Sequence, residues 1–269
     1  MNESKLPVDH KRLALTERDR RLIDLISRFR LVSRDQAMAL APFGSLTRAN
    51  TRLAALTRGR LLSRKTLPVY PGKGGAQALY FLGHEGAALL GGELTDFFGQ
   101  IRQIRRWDSR QAMHVVAANQ VLVDFIIALQ QTTDAALLGF RTEPELRQVF
   151  RDKRLVPDGW IAWTERGRRF NCFVEVDLHS EGLAEWRKKV LAYLEYAESG
   201  SHGELFGFGA FRVLVVAKSK TRLQSIQRIA QQVGRLFLFA EIGNVDAQNI
   251  LGQTWLPATG EQLIALSEA

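Results

Sequence analysis

Apolar residues recur at helical spacing through the first third of the chain. Leu22, Ile26 and Phe29 stand four and three apart behind Thr16-Glu17-Arg18-Asp19. A hydroxyl cap with an acidic residue three positions on predicts a helix start there. Ser33 opens a short second helix with Ala37 and Leu40 inward, and Pro42-Phe43-Gly44 ends it. Ser45 opens a third, whose Leu46, Ala49, Leu53 and Leu56 form an apolar stripe and leave Thr47, Arg48, Asn50, Thr51, Arg52 and Arg58 on outer faces. Leu61–Leu67 and Ala76–Leu82 read as strands around Pro68–Gly75, a Gly/Pro-rich tip carrying Lys73, and His84–Leu90 as a closing helix. Three helices and a hairpin predict a winged helix-turn-helix over residues 13–95. Such a fold sets one helix in the major groove and its hairpin on phosphate or in the minor groove. Residues 96–110, with Arg102, Arg105, Arg106 and Arg110, read as a basic connector, and the domain boundary is placed near residue 105.

The second half follows a different pattern. Met113–Leu129 is apolar along one side and predicts a helix packed on a sheet. Phe140–Leu146, with Glu143 and Glu145, reads as an edge strand or irregular entry. Gly159–Thr164 and Arg168–Asp177 read as strands around Glu165-Arg166-Gly167. Leu183–Ala197 reads as a helix, Arg212–Ala217 as a strand, Thr221–Val233 as a helix, and Leu236–Phe239 and Ile250–Leu256 as the last strands. The order predicts an α/β domain over residues 111–258, a mixed sheet flanked by helices, and a two-domain chain.

Charge separates the halves further. Residues 1–110 carry 20 Lys/Arg against 10 Asp/Glu, and residues 111–269 carry 17 against 18. A basic first half beside a neutral second half points to a polyanion met by the first, with double-stranded DNA the expected partner. Arg48 and Arg52 match guanine edges or phosphates, and Asn50 matches an adenine edge. The single cysteine, Cys172, excludes an internal disulfide and a cysteine-cluster zinc site, and its place on a strand reads as a buried thiol. No apolar run approaching the ~20 residues of a membrane span stands out, and the polar N-terminus lacks a signal-peptide core, so a cytoplasmic protein without a membrane partner is expected. Gly72, Gly74 and Gly75 lack the context of a nucleotide-binding loop, which argues against ATPases and dinucleotide dehydrogenases. A serine-hydrolase elbow and the histidine cluster of a nicking relaxase are also missing from the sequence.

The candidate chemistry sits between Val156 and Asp177. Strand residues two apart share a face, so Glu175 and Asp177 project together, and Asp158, after Pro157, reaches the same edge from the neighbouring strand. Three such carboxylates suit Mg²⁺ or Mn²⁺ and phosphodiester cleavage. His179 follows closely and reads as a loop residue, His114 as packing or a helix-to-sheet hydrogen bond, and Trp160, Trp163 and Trp186 as core.

The order of elements, with Pro157-Asp158 and Glu175-Val176-Asp177, resembles the PD-(D/E)XK nuclease fold of restriction endonucleases. In that fold an acid-x-Lys motif orients water, and Asp177 stands here where the lysine would be. Lys189, on the following helix with Tyr193 one turn on, is the displaced candidate. The whole chain, from Leu15 to Pro257, resembles the replication-relaxation family of plasmids and conjugative elements. The resemblance implies a DNA-binding accessory or regulatory protein of replication, mobilisation or transcription whose nuclease-like domain is not guaranteed to be active. It leaves open a metal-dependent endonuclease or nickase using Asp158, Glu175, Asp177 and Lys189, and a scaffold that dimerises or recruits a replication or conjugation protein. A homodimer on an inverted repeat is the expected assembly.

Overall fold

The computed structural model describes residues 13–67, 77–91, 94–150, 155–178 and 181–269. The described residues form ten α-helices and two sheets, divided into two compact units between Arg106 and Trp107. The expected wing tip with Lys73, and His179, lie outside the described residues.

In the N-terminal unit α1 (Glu17–Phe29) begins at a reciprocal cap, Thr16 accepting from the Asp19 amide while Asp19 accepts from the Thr16 amide at 2.8 Å. Such an exchange satisfies two of the donors that a helix start leaves unpaired. β1 (Val32–Ser33) leads into α2 (Arg34–Leu40), where Ser33 and Gln36 repeat the same exchange. Ser45 caps α3 (Leu46–Arg58). Then β2 (Leu62–Thr66) and β3 (Ala78–Leu82) pair antiparallel, Leu62 opposite Leu82, and β1 joins the other side of β3. α4 (His84–Leu90) and α5 (Leu94–Arg106) follow. Leu22, Ile26, Phe29, Ala49, Leu53, Leu56, Leu79 and Phe81 close the core. Leu46, expected in the apolar stripe, is the first residue of α3 and is 48% exposed. α5, expected as a connector, belongs to this unit: Ile101 and Ile104 are buried, and Lys65 on β2 donates to the carbonyls of Ile104 and Arg105 at 3.2 and 3.1 Å.

The C-terminal unit starts with α6 (Ser109–Gln131), capped by Asp108. Its 23 residues are long and apolar enough to cross a membrane by length and composition, contrary to the expectation that no run approaches that length. Most of the helix is buried within the unit, and Val116, Leu122, Phe125 and Leu129 place it among the core helices. β4 (Ala135–Thr142) precedes α7 (Glu143–Val149), so the expected strand ends earlier and Glu143 and Glu145 are helical. Glu145 caps Thr142, Pro144 sits at the helix start, and Glu143 pairs with Arg147 one turn on.

β5 (Gly159–Glu165) and β6 (Arg168–Asp177) pair antiparallel around the turn at Arg166-Gly167, both with positive φ. α8 (Leu183–Ser199) and a short, unexpected α9 (Ser201–Phe206) cross to β7 (Arg212–Ala217), which runs parallel to β6. α10 (Lys220–Ala230) and a 3-10 segment cross to β8 (Phe237–Glu241), again parallel, and β9 (Leu256–Pro257) ends the sheet. The strand order is β4-β5-β6-β7-β8-β9. The long final strand expected over Ile250–Leu256 shrinks to those two residues: Ile250 and Trp255 are buried as packing groups in a series of turns.

Candidate functional site

Pairing of β5 with β6 sets Gly159 opposite Val174, which brings the preceding Asp158 beside Glu175. The Asp158 amide donates to the Val174 carbonyl at 3.0 Å, and its Oδ2 accepts from the Val176 amide at 2.8 Å, so the carboxylate is fixed by the strand it borders. Its other oxygen, Oδ1, lies 3.0 Å from His114 Nε2 on α6. That bond and the Asp158 charge raise the His114 imidazole to about 9. Burial works against the Asp158 anion, yet His114, Lys189 and the Val176 amide together hold it below the ordinary carboxylate value.

Glu175 and Asp177 share one face of β6, as the two-residue period requires, and both are 1% exposed. They meet different partners. Lys189 Nζ donates to Glu175 Oε2 at 2.8 Å and the Tyr193 hydroxyl donates to Oε1 at 2.6 Å. Trp186, Lys189 and Tyr193 lie three and four apart on α8, so one helix stripe faces the sheet with three donors. Burial pushes the Glu175 carboxyl up to about 7, with Lys189 drawing it back. Burial also opposes the Lys189 ammonium, but Glu175, Asp158 and Glu181 outweigh it and hold the lysine charged, with Glu181 3.0 Å away.

Asp177 is engaged separately. Arg222 Nε and an Nη donate to Asp177 Oδ1 and Oδ2 at 2.9 and 2.7 Å, and Trp186 Nε1 donates to Oδ2 at 2.7 Å. Two parallel N–H···O bonds are the geometry in which a guanidinium best holds a carboxylate. The register explains the meeting: β7 runs parallel to β6 with Ala217 beside Asp177, and the chain turns at Ser219 into α10, whose first turn carries Arg222. The expected convergence of Asp158, Glu175 and Asp177 is therefore resolved into two neighbouring sites: Asp158 and Glu175 share His114, Lys189 and Tyr193, while Asp177 faces Arg222.

The arrangement does not fit a three-carboxylate metal centre. Each oxygen of the three acids already accepts a hydrogen bond from the protein, and among the described residues no group of three His, Cys, Asp or Glu side chains is disposed to hold an ion. Arg222, Trp186 and Glu181 were missed as partners. Trp186 lay within reach of the helix period, three residues before Lys189, whereas Arg222 arrives through the parallel crossover to β7 and carries no local signal.

In the N-terminal unit Thr47, Arg48, Asn50, Thr51 and Arg58 are exposed along α3. Arg52 is not with them. Its guanidinium turns toward α1, donating from Nε to Asp19 Oδ1 at 2.9 Å and from an Nη to the Ala14 carbonyl. Asp19 is fully buried, and although burial raises its carboxyl, Arg52 and Thr16 carry it down to about 2.

The replication-relaxation family profile matches residues 23–208, from α1 through α9, more than half of the chain. The protein belongs to the replication-relaxation family. No curated protein and no solved structure matches it. The matched span contains α3 and the Asp158, Glu175, Asp177, Lys189 and Tyr193 set, and it stops short of Arg222. Family membership thus reaches both candidate regions, and the groups themselves must indicate which of the two acts on a ligand.

Proposed function

We propose that this replication-relaxation protein binds double-stranded DNA through its N-terminal unit and serves replication or mobilisation of a plasmid or related element as an accessory or regulatory factor. The observation that carries the reading is the outer face of α3. Thr47, Arg48, Asn50, Thr51 and Arg58 are exposed together, and neither Arg48 nor Arg58 has an ion-pair partner among the described residues. Three helices and the β2/β3 hairpin support a winged-helix reading, in which such a helix enters the major groove and its Arg and Asn side chains meet base edges and phosphates. In the C-terminal unit the succession α6, β4, β5, β6, α8, β7 supports a nuclease-like architecture, while its carboxylates are neutralised by Lys189 and Arg222. That domain acts here as a stable platform.

A second reading, metal-dependent cleavage or nicking, is favoured by one observation: Asp158 and Glu175 adjoin, with the Lys189 ammonium 2.8 Å from Glu175. One experiment separates the two. Supercoiled plasmid is incubated with the protein and Mg²⁺ or Mn²⁺ beside Asp158→Ala, with a mobility-shift assay run on the same samples. The accessory reading expects shifted but uncut plasmid for both proteins. Metal-dependent nicking that disappears in Asp158→Ala replaces it with the enzymatic one, and failure of the wild-type protein to shift DNA removes the DNA-binding reading.

A further inference from the structure

A cleft of about 470 Å³ opens in the N-terminal unit on the flank of α3, with Thr57, Arg60, Ser63, Arg64, Lys65 and Arg105 in its wall. Arg60, Arg64, Lys65 and Arg105 give it four cations; among the described residues no carboxylate is in its lining, and the Glu85 carboxylate stands beside it, 3.3 Å from His84 Nδ1. Arg60, Arg64 and Arg105 are exposed and form no ion pair among the described residues. Lys65 is engaged by the protein, but three guanidiniums gathered at one opening without ion-pair partners repel one another, and an anion joining them relieves that repulsion.

The backbone around the cleft is held in place. Arg60 adopts a left-handed φ of 58°, and its carbonyl accepts from the Glu85 amide at 3.0 Å while the Leu61 carbonyl accepts from the Gly83 amide at 2.9 Å. A Cβ at Gly83 would fall 2.1 Å from the Arg60 carbonyl oxygen, and one at Gly86 2.2 Å from that of Leu61, so only glycine permits this approach. On the other side the Lys65 ammonium clips the Ile104 and Arg105 carbonyls of α5 to β2, which fixes the end of α5 against the hairpin. Arg60 after α3, Arg64 on β2 and Arg105 on α5 thus line one opening from three tied elements. Thr57 and Asn50 are seven residues apart, two helical turns on the same side of α3, so the cleft continues the polar face of that helix.

We infer that this cleft is a phosphate-binding site for the backbone of the DNA duplex whose groove α3 enters, with Arg60, Arg64 and Arg105 as the contacting groups. The inference rests on the DNA-binding reading and adds to it a contact that positions the protein without reading sequence. Guanidinium forks suit phosphate oxygens, and Ser63 adds a hydroxyl at the same wall, the Thr57 hydroxyl being already donated to the Leu53 carbonyl at 2.8 Å.

The test measures binding of the full-length protein to random-sequence duplexes by fluorescence anisotropy over a salt series. The proteins compared are the wild type, Arg48→Ala and the double variant Arg60→Asn/Arg64→Gln; asparagine tolerates the left-handed backbone at position 60. Each phosphate contact contributes about 0.9 to the slope of log K against log salt, so the double variant is expected to flatten the slope by about 2. Its thermal midpoint should stay at the wild-type value, since both side chains are exposed. An unchanged slope, with DNA binding intact and sensitive to Arg48→Ala, overturns this site alone. Absence of wild-type binding overturns both readings. Titration with inorganic pyrophosphate provides the last arm: pyrophosphate binding lost in the double variant without any change in the DNA slope assigns the cleft to a free anion and overturns the backbone contact.

Discussion

The outer face of α3 and the carboxylate face of β6 both carry charge, but they treat it in opposite ways. On α3 Arg48 and Arg58 are exposed and without ion-pair partners among the described residues. On β6 Glu175 and Asp177 are buried, and each has a cation and a neutral donor of its own: Lys189 with Tyr193, Arg222 with Trp186. A buried charge is tolerated only with such partners, and the partners then occupy the directions from which a ligand would approach. On the function proposed above, uncompensated surface charge is where an outside anion is met, whereas compensated buried charge holds the fold. Arg52 shows the same rule within one helix, since its bond to buried Asp19 removes it from the face its neighbours present.

The largest effect that separates the two regions is expected at Arg222. Arg222→Ala leaves the buried Asp177 carboxylate without its guanidinium, and breaking such a pair costs about 3–5 kcal/mol. Urea unfolding of the C-terminal transition would show it, while DNA affinity of the folded variant stays near that of the wild type. Lys189→Met should cost slightly less, roughly 3 kcal/mol, and Glu175→Gln added to it should return part of the loss, because the buried carboxyl that has lost its cation is removed as well. Non-additivity of that sign in a double-mutant cycle is the evidence sought; strictly additive losses would mean the two groups do not interact.

A smaller effect concerns Asp19. Its folded value of about 2 lies below the unfolded carboxylate value near 4, so the protein binds fewer protons at this site when folded. The stabilisation is complete above pH ~4 and is lost as pH falls toward 2, amounting to roughly 2 kcal/mol. Stability profiles of the wild type and Arg52→Gln should therefore differ at neutral pH and approach one another in acid. Arg48→Ala has the smallest expected effect, about 1–2 kcal/mol on DNA binding and none on unfolding.

Much of the N-terminal unit is legible in the sequence because its signals are local. Thr16 with Asp19 and Ser33 with Gln36 are caps written within four residues, and α1 and α2 begin where they stand. The same kind of signal lies at Thr142-Glu143-Pro144-Glu145, where the apolar approach through Phe140 suggests a strand, although a capping residue and an early proline specify a helix. Ile250 and Trp255 mislead in another way: both are apolar because they are buried, and burial alone does not impose strand pairing. The face shared by Glu175 and Asp177 follows from strand period, as do Lys189 and Tyr193 from helix period. The partner of Asp177 does not follow, because Arg222 is 45 residues away and arrives only through the parallel placement of β7. Long-range pairings of that kind have no local spacing to reveal them.

The most direct measurement of the contrast is duplex binding by the full-length protein, followed by fluorescence anisotropy for the wild type, Arg48→Ala/Asn50→Ala and Asp158→Asn at moderate salt. Loss of about tenfold or more in the α3 variant, with Asp158→Asn binding like the wild type, is the predicted result. Undiminished binding by the α3 variant, together with loss in Asp158→Asn, would place the nucleic-acid site in the C-terminal unit and contradict the account.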